Sequence, residues 1–155
     1  MTRALALALT TVLAGGILAA CGSSGPASQE DYAASIVEVR DRVDFALAQI
    51  TQGQGTFEEL VERMESAADL IDDAAGDLDD AGSAQGFEDE TEKLVAAFRQ
   101  LAAALAATAH DASQPGQEGL LTGTQALQFP GWTKANRVLA SLDEQGIAVE
   151  PIASH

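Results

Sequence analysis

The chain has 155 residues, enough for one domain of ordinary size with its own hydrophobic core. Its 24 acidic residues outnumber eight basic ones and give a formal net charge of −16, which argues against binding nucleic acid or anionic lipid headgroups because both require a positive surface. With a single cysteine, the chain forms no internal disulfide.

Residues 1–20 have the features of an export signal. Arg3 provides a positive start, residues 4–14 are apolar, and Gly15 and Gly16 end the apolar run. Residues 4–20 form an uncharged stretch of only 17 residues, whereas a membrane-spanning helix needs about 20. We therefore expect a signal peptide that is removed, rather than a retained transmembrane helix.

The only cysteine follows this apolar segment directly. Leu18, Ala19, Ala20 and Cys21, followed by Gly22, resemble the lipobox of bacterial lipoproteins. In that family the cysteine sulfur receives a diacylglycerol, the signal peptide is cut immediately before it, and the new amino group is often acylated as well. The resemblance implies a protein held at the extracytoplasmic side of the cell membrane by acyl chains on Cys21, since two or more chains suffice for stable anchoring.

The chain divides into three predicted parts. Residues 1–20 are the lipoprotein signal peptide, and residues 21–27 are the acylated cysteine with a flexible tether. The tether sequence GSSGPA carries no large apolar side chain and is typical of a linker. Residues 28–155 are predicted to form a helical domain. Because Cys21 is the only cysteine, its acylation would leave the mature protein without a free thiol for catalysis or metal binding.

Three helices are predicted in residues 28–109, where apolar side chains recur every three or four positions. Ser28 is the expected N-cap of the first helix, and Thr56 and Glu59 have the capping-box spacing of the second. Residues 51–55 and 81–86 are predicted turns. The predicted buried positions are Tyr32, Ile36, Val39, Val43, Ala46 or Leu47, Ile50, Leu60, Met64, Ala67, Ile71, Ala74, Leu78, Phe87, Thr91, Leu94, Phe98, Leu101 and Leu105.

After a predicted loop at residues 110–119, a last helix is expected in two pieces, residues 120–128 and 132–142, separated by Pro130 and Gly131. Gly146 is the expected C′ residue, with Ile147 as its hydrophobic contact. Residues 149–155 are predicted as a tail that is strand-like or packed on the surface. The pattern predicts an all-α, up-down-up-down four-helix bundle with the last helix broken near Pro130; the alternative is a three-helix bundle with an appended hairpin.

No recognisable catalytic motif is present. The two histidines, His110 and His155, are not in a Glu-x-x-His or His-Glu-x-x-His arrangement, and the sequence has no Gly-x-Ser-x-Gly elbow or Walker loop. We therefore predict that the protein is not an enzyme and that it needs no cofactor.

Acidic residues are concentrated on the second helix. One stripe fits a solvated outer face, and it comprises Glu58, Glu62, Glu65, Asp69 and Asp72. A second group ends the helix, where the dipole disfavours negative charge, and a turn would bring it close to the acidic start of the third helix. Clustered carboxylates suit hard cations, so we hypothesise a weak calcium or magnesium site at Asp77, Asp79, Asp80, Glu88, Asp89 and Glu92.

Aromatic and basic residues meet at the predicted helix break. Phe129 and Trp132, with Lys134 and Arg137, are typical of a contact surface for a partner protein. The alternative interpretation is that the two aromatic side chains cover the open end of the bundle core.

The alanine-rich, glycine-rich composition and the lipobox resemble small helical lipoproteins of high-GC Gram-positive bacteria. We expect a membrane-anchored extracytoplasmic lipoprotein that acts as a binding or interaction module of the cell envelope, with an envelope protein as partner. The alternative is a lipoprotein that binds a divalent cation or a small ligand through its acidic clusters.

Overall fold

The computed structural model describes residues 27–51, 55–114 and 129–153. They form four helices: α1 (Gln29–Thr51), α2 (Phe57–Ala81), α3 (Glu88–Ala112) and α4 (Pro130–Glu144). α1 packs on α2, α2 on α3, and α3 on α4. Within these ranges there is no strand, so the predicted all-α four-helix bundle is confirmed.

The last described helix begins two residues earlier than predicted, since Pro130 and Gly131 are part of it. α4 begins at Pro130, because proline is compatible with the first position of a helix but not with its interior. The first predicted piece, residues 120–128, lies outside the described residues, as do the signal peptide and residues 21–26 of the tether. The predicted loop at His110 begins later than expected, since α3 continues to Ala112.

Polar caps fix where α1 and α2 begin. The backbone N–H of Asp31 donates to the hydroxyl of Ser28 at 3.1 Å, as expected of an N-cap. Thr56 and Glu59 form a reciprocal capping box, in which each side chain accepts a hydrogen bond from the other's backbone N–H, at 3.2 and 2.8 Å. Both predicted starts are therefore confirmed.

The predicted C-terminal signal of α4 is also confirmed. Gly146 has a φ of 94°, which only glycine adopts at little cost. Its N–H donates to the carbonyl of Asp143 at 3.0 Å, and the N–H of Ile147 donates to the carbonyl of Leu142 at 2.9 Å. This pair of bonds is the Schellman motif; it ends the helix and turns the chain back onto the bundle.

One continuous core runs between the helices. Most side chains at the predicted apolar positions are buried. The largest fully buried side chains are Tyr32, Phe98, Ile36, Met64, Ile71, Leu78, Leu94, Leu101, Leu105, Leu139, Leu142 and Ile147. Alanines fill many of the remaining buried positions, and their small side chains allow the helix backbones to approach closely.

A buried polar contact joins α1 to α3 at one end of the core. The hydroxyls of Tyr32 and Thr91 are 2.8 Å apart, and the Thr91 hydroxyl donates to the carbonyl of Phe87 at 2.9 Å. The rings of Tyr32 and Phe87 are 5.4 Å apart. Desolvation by burial raises the pKa of Tyr32 above its ordinary value of 10.0, because the ionised phenol loses its hydration there.

Gly131 brings α4 into close contact with α3. A Cβ atom at this position would lie 2.5 Å from the backbone nitrogen of Leu101 and 2.7 Å from the carbonyl oxygen of Ala97. No side chain fits in that space, since both neighbours are backbone atoms. The glycine that interrupts the sequence pattern is therefore the residue that allows the start of α4 to pack against the middle of α3.

The Cα atoms of α1 and α4 nowhere come within 8 Å of each other in the described ranges. The C-terminal segment, residues 147–153, links these two helices. Val149 and Ile152 are buried in the core cluster. The side-chain amide of Asn136 accepts from the N–H of Ile152 at 2.7 Å and donates to its carbonyl at 3.1 Å. The N–H of Ala153 donates to Asp44 on α1 at 2.8 Å. As far as residue 153, the last described residue, the predicted tail is thus packed against the bundle and is not a strand.

Candidate functional site

The predicted lipidation site, Cys21, and the other lipobox residues lie outside the described residues. The first described residue, Ala27, forms an isolated parallel β-bridge with Ala84 in the turn between α2 and α3. The tether therefore joins the bundle at the end where α2 passes into α3. None of the four described helices is both long and apolar enough to cross a bilayer.

The acidic residues at the end of α2 contact arginines on two different neighbours. Asp77 forms an ion pair with Arg42 of α1, and Asp79 Oδ2 lies 2.9 Å from Arg99 Nη2 of α3. On α3, Glu88 accepts a hydrogen bond from the N–H of Gly86 at 2.9 Å. These carboxylates hold helices together or cap a turn.

The hypothesised cation site is not supported by the described side-chain positions. Asp77 and Asp79 point to opposite sides of α2, toward α1 and α3. In the described ranges no group of three or more His, Cys, Asp or Glu side chains is placed to hold a metal ion. The remaining predicted ligands, Asp80, Asp89 and Glu92, are exposed, and so is the whole outer stripe from Glu58 to Asp72.

The predicted partner surface at the start of α4 is largely part of the fold. Phe129 and Trp132 are half-buried and pack against the core. They cover core side chains, as in the alternative interpretation, but they do so beside the middle of α3, where Gly131 lies against Ala97 and Leu101, rather than at an end of the bundle. Lys134 Nζ donates to Gln100 Oε1 of α3 at 2.8 Å. Arg137 is exposed. Three of these four residues therefore contact the rest of the bundle.

A different surface, which was not among those predicted from the sequence, is apolar and open to solvent. It is a groove along the outer side of α1 and the adjoining edge of α2, lined by Ala33, Ala34, Val37, Glu38, Asp41, Arg42, Phe45 and Leu70. Phe45 is 59% exposed and Leu70 is 38% exposed. In the described part of the chain no other large hydrophobic side chain is exposed, so these two residues mark one place rather than a scattered background.

The sequence contained a signal for this groove. The apolar rhythm of α1 accounts for Ile36, Val43 and the other core positions, but it does not account for Phe45, which lies two residues after Val43. Ala34 precedes Phe45 by eleven positions, and both are exposed on the outward side of the helix. Val37, eight positions before Phe45, lies beside them and is partly buried against the core. A second apolar stripe on a helix that already buries one marks a surface for another element.

The groove has an acidic rim. Glu38 and Asp41 lie along its α1 side, and Asp41 is paired with Arg40 at 2.9 Å. On α2, Asp73 and Asp77 follow Leu70 by three and seven residues and so share its side of the helix. The one cation in the lining, Arg42, is paired with Asp77, which leaves the rim negative.

Comparison of the chain with protein-family models, with curated proteins and with solved structures found no match.

Proposed function

We propose that the protein is a lipid-anchored, extracytoplasmic interaction module of the cell envelope, which binds a partner protein through the groove between α1 and α2. The observation that carries the proposal is the pair of exposed side chains, Phe45 and Leu70, set in an apolar groove. Exposed, contiguous apolar surface rimmed by polar residues is typical of a protein contact site.

The lipobox residues support the location. An acylated Cys21 followed by a short flexible tether would keep the bundle within reach of other proteins at the membrane surface, where binding is favoured by a high effective concentration. The acidic surface is compatible with this arrangement, because a negatively charged bundle is repelled by anionic headgroups and stays clear of the bilayer.

The anchor is tested by mass spectrometry and membrane fractionation. The mature wild-type chain is expected to begin at Cys21, to carry acyl chains and to sediment with membranes, whereas a Cys21→Ser chain is expected to carry no lipid. A mature protein that begins elsewhere, or that carries no lipid at Cys21, would refute the anchor.

The contact surface is tested by photo-crosslinking in intact cells. A photoreactive residue at position 45 is expected to yield one discrete adduct with another protein. The matched control is position 65, where Glu65 is exposed on α2 on the side of the helix away from Leu70. Equal adducts from both positions, or none from position 45, would refute the groove as the contact site.

A further inference from the structure

The shape and charge of the groove define the chemistry of its occupant. We propose that it binds one amphipathic α-helix of a partner protein, with apolar side chains facing the groove and Lys or Arg residues on both flanks. This inference rests on the proposed role as an interaction module and adds the chemical class of the partner segment.

The apolar floor has the length of a short helical ligand. From Ala34 to Phe45 the stripe spans twelve residues of α1, and the eleven rises of 1.5 Å between them make it about 16 Å long. An amphipathic ligand that presents apolar residues at i, i+3 or i+4, and i+7 needs about 10 Å. The small side chains Ala33 and Ala34 leave room at one end, while Phe45 and Leu70 are the large apolar contacts at the other.

The acidic rim favours an apolar ligand with basic flanks over one with neutral or acidic flanks. Glu38 of α1 lines the groove, and Asp73 lies one turn after the lining residue Leu70 on the same side of α2. Neither carboxylate has an ion pair or hydrogen bond within the described residues. A second copy of this chain would bring the same negative rim and a net charge of −16 into contact with itself, which is unfavourable. A bilayer rich in anionic lipid is disfavoured for the same reason.

The test uses the full chain with Cys21→Ser and a synthetic helical peptide of about 18 residues, built from leucine on one face and lysine on both flanks. Binding is measured by calorimetry. A control peptide has the same composition with the leucines distributed around the helix, and a second control replaces lysine with glutamate. We expect saturable binding of the first peptide alone.

Three double variants separate specific docking from general attraction to an acidic protein. Phe45→Ser with Leu70→Ser is expected to weaken binding about tenfold or more, and Glu38→Gln with Asp73→Asn about threefold or more, since apolar anchors dominate such contacts. Glu65→Gln with Asp72→Asn, which removes two charges from another side of α2, is expected to leave the affinity unchanged. All four substituted groove positions are on the surface, and a melting curve of each variant verifies folding.

Several results would overturn the inference. The first is equal affinity for the scrambled peptide. The second is an affinity that is unchanged by the Phe45 and Leu70 substitutions or is lowered equally by those at Glu65 and Asp72. The third is sedimentation of the protein with phosphatidylcholine vesicles that depends on Phe45 and Leu70. A dimer that the Phe45 and Leu70 substitutions dissociate would also overturn it. A crosslinked partner without a basic amphipathic helix would refute this inference and leave the proposed function intact. The absence of any partner in cells would refute the proposed function and, with it, this inference.

Discussion

Replacement of Gly131 with alanine tests how α4 is held on α3. The new Cβ would lie 2.5, 2.7 and 2.8 Å from three backbone atoms of Ala97 and Leu101, so α4 has to move outward by about 1 Å to reach ordinary van der Waals distance. Overpacking of this kind costs about 1–3 kcal/mol. Backbone atoms cannot rotate away, so we expect the upper end of that range, which lowers the melting temperature by about 10 °C in a chain of this size.

The measurement is thermal and urea unfolding followed by circular dichroism, with Gly76→Ala as the matched control. A Cβ at Gly76, inside α2, meets no atom within 4 Å, so this change is expected to stabilise the protein by about 0.5–1 kcal/mol through helix propensity. If Gly131→Ala melts within about 2 °C of the wild type while Gly76→Ala behaves as expected, the close approach of α4 to α3 is wrong.

Three further substitutions probe single contacts. Tyr32→Phe removes the buried bond to Thr91 and is expected to cost about 1 kcal/mol near neutral pH. Because folding raises the pKa of Tyr32 above 10.0, the contribution of this phenol to stability is complete below pH 10 and is lost as the pH rises through the folded-state pKa. The Phe variant should therefore lose less stability than the wild type when both are melted at alkaline pH. Equal losses would contradict the burial of this phenol. Thr56→Ala breaks the capping box of α2 and is expected to cost about 1 kcal/mol in urea unfolding, with no change if the cap does not form. Asn136→Ala is expected to speed hydrogen exchange at the amide of Ile152 more than at core amides of α3, and uniform protection would show that the C-terminal segment does not depend on this side chain.

The fold could be predicted because its signals are local. The spacing of Ile36, Val43 and Ile50 specifies the buried side of α1, and Thr56 with Glu59 specifies the start of α2, since each depends only on residues within a few positions along the chain. Gly146 and Ile147 likewise specify the end of α4. The local structures that these residues favour are kept in the folded protein, because packing in the bundle stabilises the same helices.

The sites could not be predicted because they depend on which helix faces which. The acidic group at the end of α2 looked like one cluster, but the helix directs Asp77 toward Arg42 and Asp79 toward Arg99, on different neighbours. Phe129 and Trp132 fitted either a partner surface or a cover for the core, and only the packing of the helices shows that they lie against the core. Phe45 carried a local signal, but its exposure depends on the packing of the helices, since none of the other described helices covers the outer side of α1, and no spacing rule reveals that.

The C-terminal segment has a consequence for the order in which the bundle assembles. The bond between Ala153 and Asp44 joins residues 109 positions apart, whereas α1 with α2 and α2 with α3 are neighbours along the chain. Loop-closure entropy delays long-range contacts, and synthesis delivers the N-terminal helices first. The three leading helices can therefore associate early, while docking of residues 147–153 comes last and turns an open array of hairpins into a closed bundle. A chain truncated after Glu144 is expected to stop at the open stage.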